Sequence, residues 1–146
     1  MKQYQKVVSL KTVGKSLHKI TSRVDKIVAE SKIETGLCNI FVRHTSASLI
    51  IQENADPDVL QDLANFFAKL VPEDSMAYLH GAEGLDDMPA HIRSALTNTS
   101  EQIPISKGRL VLGMWQGVYL WEHRQRSNHR EIVVHIMGEA SPANRH

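Results

Sequence analysis

The chain has 146 residues, 42% of them hydrophobic and 23% charged, with a formal net charge of +1. That size and balance suit one soluble globular domain spanning residues 1–146 with a sizeable core. The near-zero charge excludes a nucleic-acid binder that works by bulk charge, and no apolar run is long enough to cross a membrane. A single cysteine, Cys38, rules out an intrachain disulfide, and the first twelve residues lack the long apolar segment of a secretory signal; both point to the cytoplasm. Eight histidines beside that one cysteine favour imidazole chemistry over thiol chemistry.

Residues 3–13 alternate around Tyr4, Val7, Val8, Leu10 and Val13, predicting a strand near a sheet edge that Gly14 ends. Residues 17–20 form a second short extended piece. Thr21 is the expected N-cap of a short helix with an apolar stripe at Val24, Ile27 and Val28, ending near Ser31. Gly36 marks a turn into a strand over 37–44, which places Cys38, Ile40, Val42 and His44 on one face. HTSAS follows, and Leu49, Ile50 and Ile51 carry a further strand to Glu53. Asp56 and Pro57 open a helix whose stripe is Val59, Leu60, Leu63, Phe66, Phe67 and Leu70, and Pro72 stops it.

A third helix runs from about Pro89 to Asn98, with Asp87 or Met88 at its cap and a stripe of Ile92, Ala95, Leu96 and Thr99. After a short extended Ile103-Pro104-Ile105 and a turn at Lys107-Gly108, three strands close the chain over 109–113, 118–123 and 131–138. Residues 124–130, RQRSNHR, read as a basic hairpin loop. The order predicts an α+β fold, a mixed or antiparallel sheet with about three helices.

The densest chemistry lies in residues 78–96, YLHGAEGLDDMPAHIRSAL. His80 and His91 flank an acidic loop, and Asp86, Asp87 and His91 gather at one helix N-terminus, an end that favours anions. No local metal, P-loop or dinucleotide motif is present. The metal reading therefore rests on placement: His44 ends a buried strand face, His80 lies in a long loop, and His91 sits in a first helical turn. Three imidazoles with an open fourth position make a catalytic zinc arrangement. Glu53, Asp86 and Asp87 would orient the imidazoles or act as a base, although Asp87 serves equally as a cap and Glu53 as a solvated residue. Thr45, Ser46 and Ser48 suit hydrogen bonding to a substrate or phosphate, or simply turn formation. Gln116 and Glu122 are polar within an apolar stretch and would line the pocket. Arg130 and its basic loop would clamp a phosphate or remain as solvated charge.

HTSASLIIQENADPDV, YLHGAEGLDDMPAHIRSAL, GRLVLGMWQGVYLWEH and HREIVVHIMGE, in this order and spacing, resemble the YjbQ-like family from about Val7 to Glu139. The family typically reads LGTWQ where this chain has Met114, and many members carry Asn at the position of Met88. The resemblance implies a homotrimeric α+β fold and a thiamine-phosphate synthase-like transferase, joining a pyrimidine diphosphate to a thiazole phosphate with loss of pyrophosphate. It carries onto His44, His80 and His91 as the clustered imidazoles; their donor type, with no competing cysteine, selects zinc as the divalent metal, with magnesium an option for a diphosphate substrate. Arg93 or Arg130 would then stabilise the leaving group, and Glu53, Asp86 or Glu122 the pyrimidine carbon, with Gln116 close by. The partners so implied are a small phosphorylated substrate and two further copies of the chain, with no nucleic acid and no membrane. The same residues would serve a metal-dependent phosphate-ester hydrolase or lyase, or a non-catalytic trimeric module that binds metal for assembly.

Overall fold

A computed structural model describes residues 1–74 and 76–141. The elements in order are β1 (Lys2–Thr12), β2 (Ser16–Lys19), α1 (Thr21–Ser31), β3 (Ile33–Val42), β4 (Ala47–Glu53), α2 (Pro57–Leu70), α3 (Asp87–Leu96), β5 (Ser100–Ser106), β6 (Arg109–Leu110), β7 (Gln116–Glu122) and β8 (Asn128–Ala140). They form two antiparallel sheets: β1-β8-β3-β5-β6 and β2-β7-β4. The expected α+β class and the edge position of the first strand both hold. All of the pairings are antiparallel, which resolves the mixed-or-antiparallel alternative.

One apolar core joins the sheets. Cys38, Ile40 and Val42 from β3 meet Leu49 from β4, Val118 and Leu120 from β7, and Ile132, Val134 and Ile136 from β8, with Val24, Ile27 and Val28 of α1 packed against them. The period-2 patterns of β3, β7 and β8 point these side chains inward. Helix α1 starts one residue earlier than a Thr21 cap requires. Ile20 occupies the cap position, and the Thr21 hydroxyl instead accepts the Val118 N–H at 2.9 Å, tying the helix to β7.

Gly36, expected as a turn, lies inside β3. It faces Gly138 of β8 in register, and a Cβ on Gly36 would sit 2.1 Å from the Met137 carbonyl oxygen. A Cβ on Gly138 would sit 2.2 Å from the Thr35 carbonyl, so two glycines permit one close crossing of the strands.

Residues 124–130 are not a hairpin loop. β7 belongs to the small sheet and β8 to the large one, so this connection crosses between sheets. It turns Arg124 and Arg130 inward, where both are buried.

Helix α2 keeps its predicted start, with the Asp56 carboxylate accepting the Asp58 N–H at 2.9 Å, but it buries no residue fully. Phe67 packs edge-on to Trp121 with centroids 5.1 Å apart, while Phe66 and Leu70 stay exposed. Helix α3 begins at Asp87 rather than Pro89, and its buried face is Asp87, Pro89, Ala90, Arg93 and Ser94. The expected stripe fails: Ala95 and Leu96 are exposed, and Thr99 lies beyond the helix. The buried face instead combines Pro89 and Ala90 with polar side chains, of which Asp87 joins an internal ion pair with Arg124.

The Gly36–Gly138 crossing leads to a stability prediction. Gly36→Ala should lower stability by about 1–3 kcal/mol, the usual range for overpacking a well-filled site. Urea unfolding checks it, and an unchanged midpoint would show that the strands can separate at no cost.

Candidate functional site

Three segments converge at one end of the small sheet: the turn before β4, the start of α3, and the residues after β7. Asp87 and His91 lie four residues apart on α3 and therefore share a face. The loop before the helix brings His80 to the same point. His80 Nε2 lies 2.5 Å and His91 Nε2 3.2 Å from Asp87 Oδ2, and the imidazole centroids are 5.4 Å apart. One ligand atom from each of His80, Asp87 and His91 falls within 4.8 Å of the other two. A zinc ion with bonds of about 2.0–2.2 Å would separate its ligand atoms by roughly 3.3–3.6 Å, so this donor set fits with small adjustment. Asp87 is almost fully buried, whereas the His80 and His91 rings reach solvent.

The second nitrogen of His91 gives this arrangement its meaning. His91 Nδ1 donates to the Thr45 carbonyl at 2.9 Å, because a carbonyl can only accept. In a neutral ring that leaves Nε2 with a bare lone pair aimed at the Asp87 carboxylate. Two lone pairs facing each other at 3.2 Å call for a proton or a cation between them. A backbone carbonyl on one ring nitrogen with the other ring nitrogen free is also how metal-binding histidines are commonly held.

Behind the cluster, Arg124 Nη1 binds Asp87 Oδ1 at 2.5 Å, and Arg124 Nε binds Asp86 Oδ2 at 2.9 Å. Burial by itself would raise the Asp87 carboxyl, but the His80 hydrogen bond and the Arg124 charge outweigh it and hold the group below the usual carboxylate range. Asp86 is likewise held low against burial, by the Gln125 amide and Arg124. The N-terminus of α3, expected to attract anions, thus carries two ionised carboxylates, both bound by Arg124, whose single charge offsets one of them.

Most of the remaining predicted site residues are held by partners away from the open side of the cluster. Thr45 stays at the cluster through its carbonyl. Glu122, expected to be catalytic, is 0% exposed and accepts four hydrogen bonds: Arg130 Nε at 2.7 Å, Arg130 Nη2 at 2.5 Å, Thr12 Oγ1 at 2.5 Å and Arg124 N at 3.1 Å. Those bonds fill its four lone-pair sites, so it has none left for a substrate. Arg130 is spent on that pair and on Ser46, whose Oγ accepts from Nη2 at 3.0 Å. Ser48 is fully buried between His123 Nε2 at 2.9 Å and Thr97 Oγ1 at 2.6 Å. Asp86 is held by Arg124 and by the Gln125 N–H at 3.0 Å. Arg93 turns to the opposite side of α3, where Nη2 donates to the Val71 carbonyl at 2.8 Å.

His44 is not in the ligand group. Its Nε2 accepts the Glu131 N–H at 2.8 Å, which puts the proton of a neutral ring on Nδ1 and leaves no free lone pair. Burial and the Arg130 charge lower its pKa and favour that neutral form. Glu53 and Gln116 pair with each other across β4 and β7, at the end opposite the Ala47–Glu122 pair. Six strand residues at about 3.3 Å each put them about 20 Å from the cluster end within one subunit.

The sequence reading gave Asp87 only a supporting place, put Arg124 in a basic loop suited to clamping a phosphate, and passed over His123. The Asp87/His91 spacing of four was a usable signal once the helix starts at Asp87. Nothing local marks Arg124, because its partners are 37 and 38 residues away.

Fold and site together define an antiparallel two-sheet α+β protein with a histidine–carboxylate cluster at a helix start. The family model described as UPF0047 protein YjbQ-like matches residues 6–139, and the chain belongs to that family. It is 66% identical over 138 residues to a UPF0047 protein of Synechocystis sp., covering 94% of each chain. It is 43% identical over 137 residues to the UPF0047 protein YjbQ of Salmonella typhimurium, covering 93% of this chain and 99% of that one. The crystal structure of a YjbQ/UPF0047 family protein from Clostridium acetobutylicum superposes with a TM-score of 0.83 at 37% identity, over 90% of this chain and 99% of that one.

His123 makes stability depend on pH. Burial, reinforced by the Arg93 charge, pushes its pKa down to about 3. The unfolded chain takes up that proton near pH 6.5, so the contribution is complete above this value and is lost as pH falls from about 6.5 toward 3. His44, also lowered, contributes with the same sign. Tm should therefore fall between pH 7 and pH 5, above the carboxylate range, and His123→Gln should flatten that slope. An unchanged slope in the variant would remove His123 as its source.

Proposed function

We propose that this chain is a metal-dependent, thiamine-phosphate synthase-like transferase acting at the His80–Asp87–His91 cluster. The observation that carries the metal is the His91 ring, with Nδ1–H on the Thr45 carbonyl and Nε2 facing Asp87 and His80. Those three side chains would hold one divalent cation, zinc by the nitrogen-rich donor set, which when bound supplies positive charge for a departing diphosphate. Arg124 keeps Asp87 ionised and oriented. Thr45, exposed beside His91, is placed to touch a substrate phosphate. The choice of transferase rests on the sequence resemblance; the substrates are a pyrimidine diphosphate and a thiazole phosphate, and pyrophosphate leaves. A metal-dependent phosphate-ester hydrolase is the second reading, favoured by the water-facing rings of His80 and His91.

Elemental analysis of the purified protein should find one divalent ion per subunit, lost in His91→Ala and Asp87→Asn. Both variants should lower thiamine phosphate and pyrophosphate formation by about a hundredfold or more, in line with losing charge stabilisation at a reacting centre. Normal metal content and normal turnover in both would remove the cluster from the mechanism. Release of inorganic phosphate from simple esters, with no coupled product, would select the hydrolase.

The transferase is proposed to work as a cytoplasmic homotrimer. Supporting this, Phe41, Phe66, Leu70, Met114 and Trp115 are large apolar side chains left exposed on one subunit, surface that neighbouring copies would cover. A neighbour would then bring the distant β4–β7 end, with Glu53, Gln116 and Trp115, toward the cluster. Light scattering should give three times the subunit mass at micromolar concentration. A stable monomer there would exclude both the trimer and the shared site.

A further inference from the structure

We propose that the cavity behind α3 is a second, oxyanion-binding site, built on the Arg93 guanidinium and taking the phosphate of a small phosphorylated molecule or free phosphate. The cavity has a volume of about 120 Å3 and is lined by Lys15, Ser16, Phe67, Arg93, Trp121 and His123. Such a volume holds one tetrahedral anion with part of whatever it is attached to.

The charge balance is the main argument. Three arginines are buried in this region. Arg124 and Arg130 each bind carboxylates at close range. Arg93 is 6% exposed and, among the described residues, forms no ion pair; only the neutral Val71 carbonyl meets it, through Nη2. Its Nε is buried without any acceptor among the described residues. A buried cation with an unmet N–H is costly unless a counter-charge arrives.

Lys15 supplies a second cation at the cavity and is itself paired with Glu73. Burial lowers the Lys15 ammonium, and the Arg93 charge lowers it further, as expected for two cations sharing one partly dry space. Glu122 also lines the cavity but is matched by Arg130, so Lys15 and Arg93 against Glu73 leave an excess of one positive charge. Trp121 and Phe67, edge-on to one another, wall the cavity on its apolar side and shield the charge from water.

The cavity is separate from the histidine cluster. Arg93 and His91 are two residues apart on α3, so they project from nearly opposite sides of the helix. The inference therefore does not depend on the transferase reading, and metal-free protein is the right material for testing it.

Chelator-treated full-length protein would be titrated by calorimetry with inorganic phosphate and with glycerol 3-phosphate at constant ionic strength. Saturable binding is expected, weakened at least about tenfold by Arg93→Met, which removes charge-assisted hydrogen bonds. Arg93→Lys should restore part of it, Lys15→Gln should weaken it several-fold, and His91→Ala should leave it unchanged. Tighter binding of the ester would identify a phosphorylated metabolite as the ligand, and tighter binding of phosphate the free ion; both support the site provided Arg93 is needed. No saturable binding of either probe overturns the inference. So does binding that survives Arg93→Met in a folded variant, or that disappears in His91→Ala, which would move the anion to the cluster. Should Arg93→Met fail to fold, Lys15→Gln decides, and unchanged affinity there overturns the inference.

Discussion

The buried pair of Glu122 and Arg130 holds together the point where the two sheets exchange the chain. Glu122 ends β7 in the small sheet, and Arg130 lies three residues into β8 in the large one. A bidentate guanidinium–carboxylate contact fixes both the distance and the angle between those strand ends. Thr12, at the end of β1, adds a third strand to the same carboxylate. Burying a charge pair of this kind is tolerable only because nearly every donor and acceptor finds a partner. Removing either member would strand its opposite in a dry environment, so the pair acts as a geometric lock more than as a source of stability.

The histidine cluster inherits its geometry from this lock. Glu122 also accepts the Arg124 N–H, which sets the direction of the chain as it leaves β7. Arg124 is thereby aimed at the first turn of α3, where it holds Asp86 and Asp87. Asp87 in turn positions His80 and His91, and Thr45 holds the far nitrogen of His91. Each link is a charge-assisted or backbone hydrogen bond, so the two exposed imidazoles rest on a stiff support. That is the kind of support a metal or reactive site needs, since small displacements at the first contacts are costly.

Helix α3 separates two chemically different faces. On one side it presents the partly exposed His91 ring, with the buried Asp87 carboxylate beneath it. Inward, it presents Arg93 and Ser94, both with polar atoms that lack partners among the described residues. A helix placed purely for packing would bury apolar side chains on that inner face, as α1 does with Val24, Ile27 and Val28. The difference explains why the apolar stripe read for α3 failed while the one for α1 succeeded: α1 seats on the core, whereas the buried face of α3 mixes Pro89 and Ala90 with the polar Asp87, Arg93 and Ser94.

Much of the framework follows from the order of residues by itself. Strand alternation around Cys38, Ile40 and Val42, and around Ile132, Val134 and Ile136, is a local property with a period of two, and the Asp56-Pro57 helix start is equally local. His80 and His91 were legible for the same reason, being close together beside acids and a helix boundary. Tertiary structure alone decided that β7 and β8 lie in different sheets, because the same alternating pattern suits a hairpin or a crossover. It also decided which charged residues are interior. Glu122 and Arg130 look like solvent-facing or catalytic groups in sequence, yet each is the partner that permits the other to be buried. His44 lost its expected place to Asp87 because its Nε2 meets the Glu131 N–H, and a backbone donor 87 residues away leaves no trace near position 44.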